Sequence, residues 1–272
     1  MIKKLLGISV PYTYEVAICL IVKDEDRYLP EWVDYHLKIG VNHFYIYDND
    51  SKIPVASTLS KYVESGTVSV ELISGKAMQM PAYARCLSKY GRLCKWIAFI
   101  DADEFIVPKT LSGNLPEFLS NYKRYGGIGL NWLVFGSNGH LQRPEGTLAQ
   151  SYTKRTLKSN LVNNHIKTIA QPRHIKRVGS NPHDFIFKNG KHCVNENFER
   201  LRGPRVTHTS NKIQLNHYFL RSLEDFKEKL ERGRADTGTT RQLEEFYELD
   251  REANLVSDES IIELTMELSN NS

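Results

Sequence analysis

Apolar residues in this chain gather into short unbroken runs, and charged clusters end them abruptly. Glu15 to Val22 holds one such run and Val41 to Tyr47 a second; Thr67 to Ile73 alternates as a third, and Trp96 to Ile100 is a fourth. Short runs without a polar break predict strands buried on both faces of a parallel sheet. Between them the period changes to that of a helix. Trp32, Tyr35, His36 and Ile39 fall at i, i+3, i+4 and i+7, and Gly40 is placed to stop the turn. Pro54 to Val63 and Gln79 to Tyr90 read as two further helices, closed by Gly66 and Gly91. Strand and helix therefore alternate as β-α-β-α-β-α-β, which predicts the α/β class with a doubly wound, mostly parallel sheet. His36, on an apolar helix face, reads as a core histidine rather than a ligand.

The second half is less regular. Asn114 to Tyr125 predicts a helix, Gly127 to Phe135 a strand, and Gly136 to His140 a turn. From about 140 to 210 the chain is rich in Asn, His, Lys and Arg, with short strands expected at Ile166 to Ile169 and Arg205 to Thr209. A long irregular stretch of this kind is usually functional or mobile. Ile213 to Leu220 is again strand-like. Ser222 and Asp225 resemble a capping box opening a helix through Leu223, Phe226 and Leu230 to Gly233. Helices near Thr240 to Leu249 and Asp258 to Leu268 complete the pattern. No repeat, low-complexity tract or linker appears. One domain over 1–272 is expected, divided into about 15–110, 111–235 and a helical C-terminal part at 236–272.

With 272 residues, 40% hydrophobic and 25% charged, the chain suits a globular protein with a sizeable core. A net charge of +4 is too weak to imply nucleic acid. It suits an anionic ligand, or a loose peripheral association with an acidic membrane face. Cys19, Cys86, Cys94 and Cys193 show no Cys-x-x-Cys pair and read as reduced, mostly buried thiols of a cytoplasmic protein. Met1 to Val10 has an apolar stretch that stops at Pro11 without a cleavage pattern, so it reads as an arm before the first strand.

The candidate chemistry lies where the apolar runs end: Lys23 to Asp26, Asp48 to Ser51, and Asp101 to Glu104. Parallel strands end on one edge, and ligands of open α/β sheets bind outside those ends. Two carboxylates one residue apart, Asp101 and Asp103, repel unless a cation lies between them. As hard oxygen ligands they suit Mg²⁺ or Mn²⁺, a cation that commonly neutralises a diphosphate. The plainer reading of Asp-x-Asp is a solvated acidic turn.

Several ordered stretches then carry a resemblance. Cys19 to Glu25, Leu29 to His36, Phe44 to Ser51, Trp96 to Phe105, Trp132 to Ser137 and Asn216 to Ser222 resemble glycosyltransferase family 92 and its near relatives in family 2. Each is weak alone; together they span about residues 15–232. The resemblance implies a GT-A fold, an inverting reaction, a nucleotide-sugar donor and an Asp-x-Asp divalent metal site. Several family 92 members are galactosyltransferases using UDP-galactose. On that footing Asp103 binds the metal, with Asp101 as a second ligand or a partner of the ribose. His217, in Asn216-His217-Tyr218, becomes the third ligand, or a structural histidine. Val22, Lys23 and Glu25 fall where the nucleotide lies, Asp48 and Asn49 near base or ribose, and Arg85 near the phosphates. Glu104 is a supporting or exposed carboxylate.

An inverting transferase also needs a base to take the acceptor's proton. The candidates are His183, Asp184, Glu196 and Glu199. Asp184 leads, with His183 orienting it or acting itself, and Glu196 follows. The acceptor is expected to be a glycan or a lipid-linked saccharide of surface polysaccharide synthesis. Two other classes compete. A nucleotidyltransferase would carry a Gly-rich or basic phosphate loop where Lys23-Asp24-Glu25-Asp26 stands. A non-catalytic carbohydrate-binding protein on the same fold would have lost the metal carboxylates.

Overall fold

The computed structural model describes residues 11–110 and 112–270. The arm read at Met1 to Val10 lies outside them. Strand β1 (Tyr14–Val22) shows why the sequence has no polar position after Glu15. Val16, Ile18 and Leu20 enter one core while Ala17, Cys19 and Ile21 enter another on the opposite face. Helix α1 (Leu29–Lys38) follows, with Pro30 in its first turn, where the missing N–H costs nothing. Its Trp32 and Val33 are fully buried, each worth about 1.5–3 kcal/mol of transfer free energy. His36 lies in the core as expected. Its Nδ1 donates to the Trp32 carbonyl at 2.8 Å, and burial holds its pKa down to about 3.

Strand β2 (His43–Asp48) pairs in parallel with β1. The helix expected over Pro54 to Val63 is instead two short ones, α2 (Val55–Thr58) and α3 (Ser60–Glu64). Leu59 stands at the break with φ −107° and is fully buried, so the interruption seats it in the core. Strand β3 (Val68–Leu72) adds in parallel to β2. Helix α4 (Gln79–Tyr90) leads to β4 (Cys94–Phe99), parallel to β1 on its other side. This half is the parallel α/β frame that the pattern predicted.

Strand β5 (Glu104–Pro108) was concealed by its sequence, because Glu104 reads as the tail of an acidic turn. Helix α5 (Leu115–Ser120) is shorter than the predicted Asn114 to Tyr125. Asn114 is its cap, accepting from the Glu117 amide at 2.9 Å. Strand β6 (Gly127–Val134), helix α6 (Leu148–Ser151) and strand β7 (Lys154–Arg155) follow. Then come β8 (Ile166–Ala170), β9 (Ile175–Val178), β10 (Phe185–Phe187), β11 (Cys193–Val194) and β12 (Ile213–His217). Arg205 to Thr209 forms no strand; Arg205 makes a single bridge to His165. Helices α7 (Leu223–Arg232) and α8 (Leu243–Glu252), strand β13 (Val256–Ser257) and helix α9 (Ser260–Asn270) end the described chain.

The main sheet runs β3-β2-β1-β4-β8-β6-β12-β5, with β11 beside the start of β6. Strand β8 is antiparallel to β4 and β6, and β5 antiparallel to β12. The ends of β1, β4 and β12 therefore bring Lys23, Asp101 and His217 to one edge. All four cysteines are free thiols, and Cys19, Cys86 and Cys94 are buried. Among the described residues no helix is long and apolar enough to cross a membrane.

Candidate active site

A cavity of about 490 Å³ opens at the carboxyl ends of β1, β2 and β4 and is roofed by α7 and the segment after it. Val22, Lys23, Glu25, Asn49, Asp101 and Asp103 line it, as the strand-end argument requires. His217 and His183 join them from the second half.

Asp101 leaves β4 with both carboxylate oxygens engaged. Oδ1 accepts from Gln79 Nε2 at 2.7 Å and Oδ2 from Lys167 Nζ at 2.7 Å. Lys167 is buried on β8 beside Glu104, 3.7 Å away. Burial alone would lower its pKa, but Asp101 and Glu104 outweigh that and keep it raised and charged. Glu104 is fully buried rather than exposed. It accepts from Trp132 Nε1 at 2.6 Å and from the Asp101 amide at 2.8 Å, which fixes the turn between β4 and β5. Its carboxyl is pushed well above the usual range by burial, with Lys167 opposing.

Asp103 points at two groups that are distant in sequence. Lys229, on α7, donates to Oδ2 at 2.6 Å, and His217 Nε2 lies 3.6 Å from Oδ1. Burial would raise the Asp103 carboxyl, yet Lys229 and then His217 outweigh it and hold the pKa well below the ordinary value. Lys229 itself is pulled down to about 8, by burial first, with Asp103 opposing. Beside it Glu25 joins α7 to the end of β1. Arg221 donates to one oxygen at 2.7 Å and Arg232 to the other. Arg232 also donates to the Lys23 and Asp24 carbonyls, at 2.7 and 2.8 Å.

The remaining expected residues divide clearly. Asn49 Nδ2 donates to the Ile73 and Gly75 carbonyls, shaping the cavity wall. Asp48 turns away to accept the Ser51 and Val55 amides, both at 3.0 Å, and so caps the turn into α2. Arg85 lies exposed on α4, with Nη1 3.5 Å from the Leu72 carbonyl, and does not line the cavity. Asp184 is packed against Gly179 with its carboxyl raised by burial, outside the cavity wall. Glu196 is 2% exposed and accepts the amides of Asn211, Lys212 and Ile213 at 2.7–3.1 Å, anchoring the entry to β12. Glu199 accepts from Asn195 Nδ2 at 2.7 Å, within the same loop. His183 lines the cavity. Its Nδ1 donates to the Ile166 carbonyl at 2.8 Å, which leaves Nε2 as an acceptor. Burial, then Lys167, holds its pKa down to about 3.

Sequence reasoning missed the cations. Lys167 sits inside the apolar run of β8. Lys229 lies three residues after Phe226, on the face of α7 that packs inward. A charge on a buried stripe was the signal for both.

The donor set bears on the expected metal. Asp103 Oδ1 and His217 Nε2, 3.6 Å apart at the cavity floor, are close enough to serve one ion. Asp101 offers no oxygen without releasing Gln79 or Lys167. Among the described residues no group of three His, Cys, Asp or Glu side chains is arranged to hold a metal. Two protein ligands fit a cation that takes its remaining positions from phosphate and water, the habit of Mg²⁺.

The family model of glycosyltransferase family 92 matches residues 13–271. The chain belongs to glycosyltransferase family 92. A family 92 protein of Ricinus communis is 30% identical over 226 residues, covering 80% of this chain and 38% of the relative. One of Oryza sativa subsp. japonica is 29% identical over 79% of this chain and 35% of its own length. The chain thus spans well under half the length of these family 92 relatives. Its mostly parallel sheet is the GT-A architecture expected of the family. Among solved structures, S. aureus TarS is 15% identical over 79% of this chain and 38% of that one, at a TM-score of 0.45. Residues 1–349 of TarS in complex with UDP match 58% of this chain and 47% of that one at 14% identity, with a TM-score of 0.40. Likenesses so partial assign no ligand here.

Proposed function

We propose that this family 92 chain is an inverting, metal-assisted glycosyltransferase. It moves a hexose, with galactose from UDP-galactose the best choice, onto a saccharide acceptor. The observation that carries this reading is the cavity at the strand ends, where Asp103 and His217 meet beneath a roof of Lys and Arg. A departing nucleoside diphosphate gathers negative charge as its glycosidic bond breaks, and fixed cations stabilise that charge. Lys229 and Arg232 stand where they meet it, and Lys23 closes the other side. Asp103 and His217 would hold a divalent ion, which would supply further charge stabilisation to the leaving diphosphate. Asp101 keeps Gln79 and Lys167 in place rather than binding metal directly.

Of the base candidates, His183 alone faces the cavity, and we assign it that role in place of Asp184 or Glu196. Its Nδ1–H is held by the Ile166 carbonyl, so the Nε2 lone pair takes the proton from the acceptor hydroxyl. A bound diphosphate, being anionic, raises the basicity of this otherwise weakly basic imidazole.

UDP should bind weakly without Mn²⁺ or Mg²⁺ and tightly with either, as read by calorimetry. Asp103→Asn should lower transfer a hundredfold or more, about 3 kcal/mol of transition-state stabilisation. Near-normal turnover of that variant at saturating donor would sink the metal assignment. His217→Ala should weaken Mn²⁺ binding; unchanged affinity would make that histidine structural. His183→Gln should bind UDP normally while transfer falls by about two orders of magnitude. An active His183→Gln beside a dead Asp184→Asn would return the base to Asp184.

A further inference from the structure

A second cavity, of about 810 Å³, adjoins the first. The two share Trp132, His183, His217, Phe219, Arg234 and Asp236, so an occupant of one meets an occupant of the other at His183 and His217. Their charges differ in sign. The first is lined by seven Lys and Arg against five Asp and Glu. The second has two arginines against four carboxylates. Three of those carboxylates, Glu245, Glu248 and Glu252, recur along one face of α8 and form its outer wall.

Local pairing removes little of this negative charge. Arg234 is 2.8 Å from Glu245, and Arg205 is turned to His165 Nε2 at 2.8 Å. Glu252 accepts a bond from the Asn160 amide group, which brings no charge. The Glu248 side chain is exposed and makes no hydrogen bond or ion pair among the described residues. His165, in the same cavity, adds no positive charge, because burial lowers its pKa. His217 also presents a buried Nδ1 that has no partner among the described residues, in a side chain only 5% exposed. The rings of Trp132, His165 and Phe219 also line this cavity and offer apolar surface to the C–H face of a sugar.

We propose that the second cavity selects the acceptor by charge. It takes a saccharide with no negative charge near the receiving hydroxyl and excludes those carrying carboxylate, sulfate or phosphate there, with Glu248 as the discriminating residue. The carboxylates accept hydrogen bonds from sugar hydroxyls or an amino group, whereas an anionic substituent meets like charge. This rests on reading the first cavity as the donor site.

The test uses two oligosaccharides identical except that one carries a uronic acid where the other has the neutral hexose. Calorimetry should show the wild-type chain binding the neutral one at least tenfold more tightly. With UDP-galactose and Mn²⁺, the ratio of kcat/KM for the two should favour the neutral acceptor similarly. Glu248→Lys should narrow both ratios by about tenfold, with Glu248→Gln between it and wild type. Equal wild-type affinities for the two saccharides, or ratios unmoved by Glu248→Lys, would overturn the proposal. Failure to bind UDP in the presence of Mn²⁺ would overturn the donor reading instead. Saccharide binding needs no turnover, so the two failures are told apart.

Discussion

The two halves of the sheet are held together by different means. In β1, β2 and β4 nearly every side chain is apolar and buried, and the polar groups wait at the strand ends. Around β6, β8 and β12 the interior itself is polar. Asn131, Asn163, Lys167, Gln171, Gln214 and Asn216 are buried, and each is hydrogen-bonded. Asn131 takes the Asn163 carbonyl with its amide group and receives the Thr209 amide on its oxygen. Glu196 gathers three consecutive amides. Apolar packing is non-directional and builds a regular frame. Bonds from side chain to backbone instead fix irregular loops one at a time.

This contrast fails if substitutions in the two halves behave alike. The largest effect is expected in the apolar half. Trp96→Ala, in the centre of β4, should cost about 3–5 kcal/mol in urea unfolding, the usual range for emptying a buried aromatic site. A loss under 1 kcal/mol would mean that packing there is loose.

In the polar half the change is smaller and more local. Glu196→Gln keeps the shape but removes the charge that holds three N–H donors. It should cost about 2 kcal/mol and raise the acceptor KM more than the donor KM. Equal changes in both would show that this carboxylate does not serve the acceptor side separately.

Next comes a pH effect on both halves. His36 and His183 are both held to about 3 against an ordinary 6.5. Below 6.5 the unfolded chain takes up protons that the native state refuses, so stability is full above that pH and falls towards pH 3. The loss should reach about 1.4 kcal/mol per pH unit for each such histidine. Urea titrations at pH 7, 6 and 5 giving one midpoint would contradict it. The smallest effect is expected for Arg85→Ala, on the surface of α4. Stability should move by less than about 0.5 kcal/mol and donor KM should stay unchanged. A raised donor KM would bring Arg85 back to the phosphates.

The same contrast explains what was legible in the sequence. Two-sided burial leaves an unmistakable apolar run, so β1, β2, β4 and the residues at their ends could be placed by pattern. Val22, Lys23, Glu25, Asn49, Asp101 and Asp103 came with them. Where a fold is held by buried amides and ion pairs, periodicity is absent and polar residues look exposed. Glu196 was therefore weighed as a base although it is an anchor, and Glu104 hid a strand. Lys167 and Lys229 passed unremarked because a single cation in an apolar run looks like interruption rather than placement. His217 was singled out by the family resemblance at the end of an apolar run, but Lys229 beside Asp103 could not be, since 126 residues separate them.

That separation has a consequence for biosynthesis. Glu25 is held by Arg221 and Arg232, 196 and 207 residues further along. A ribosome delivers the strands that end at Asp101 long before it delivers the arginines that complete the cavity. The nascent chain thus carries an unclosed cluster of carboxylates across the 126 residues that separate Asp103 from Lys229. The pocket is complete only when α7 has emerged and packed against the end of β1, so a product stalled before residue 221 would lack its roof.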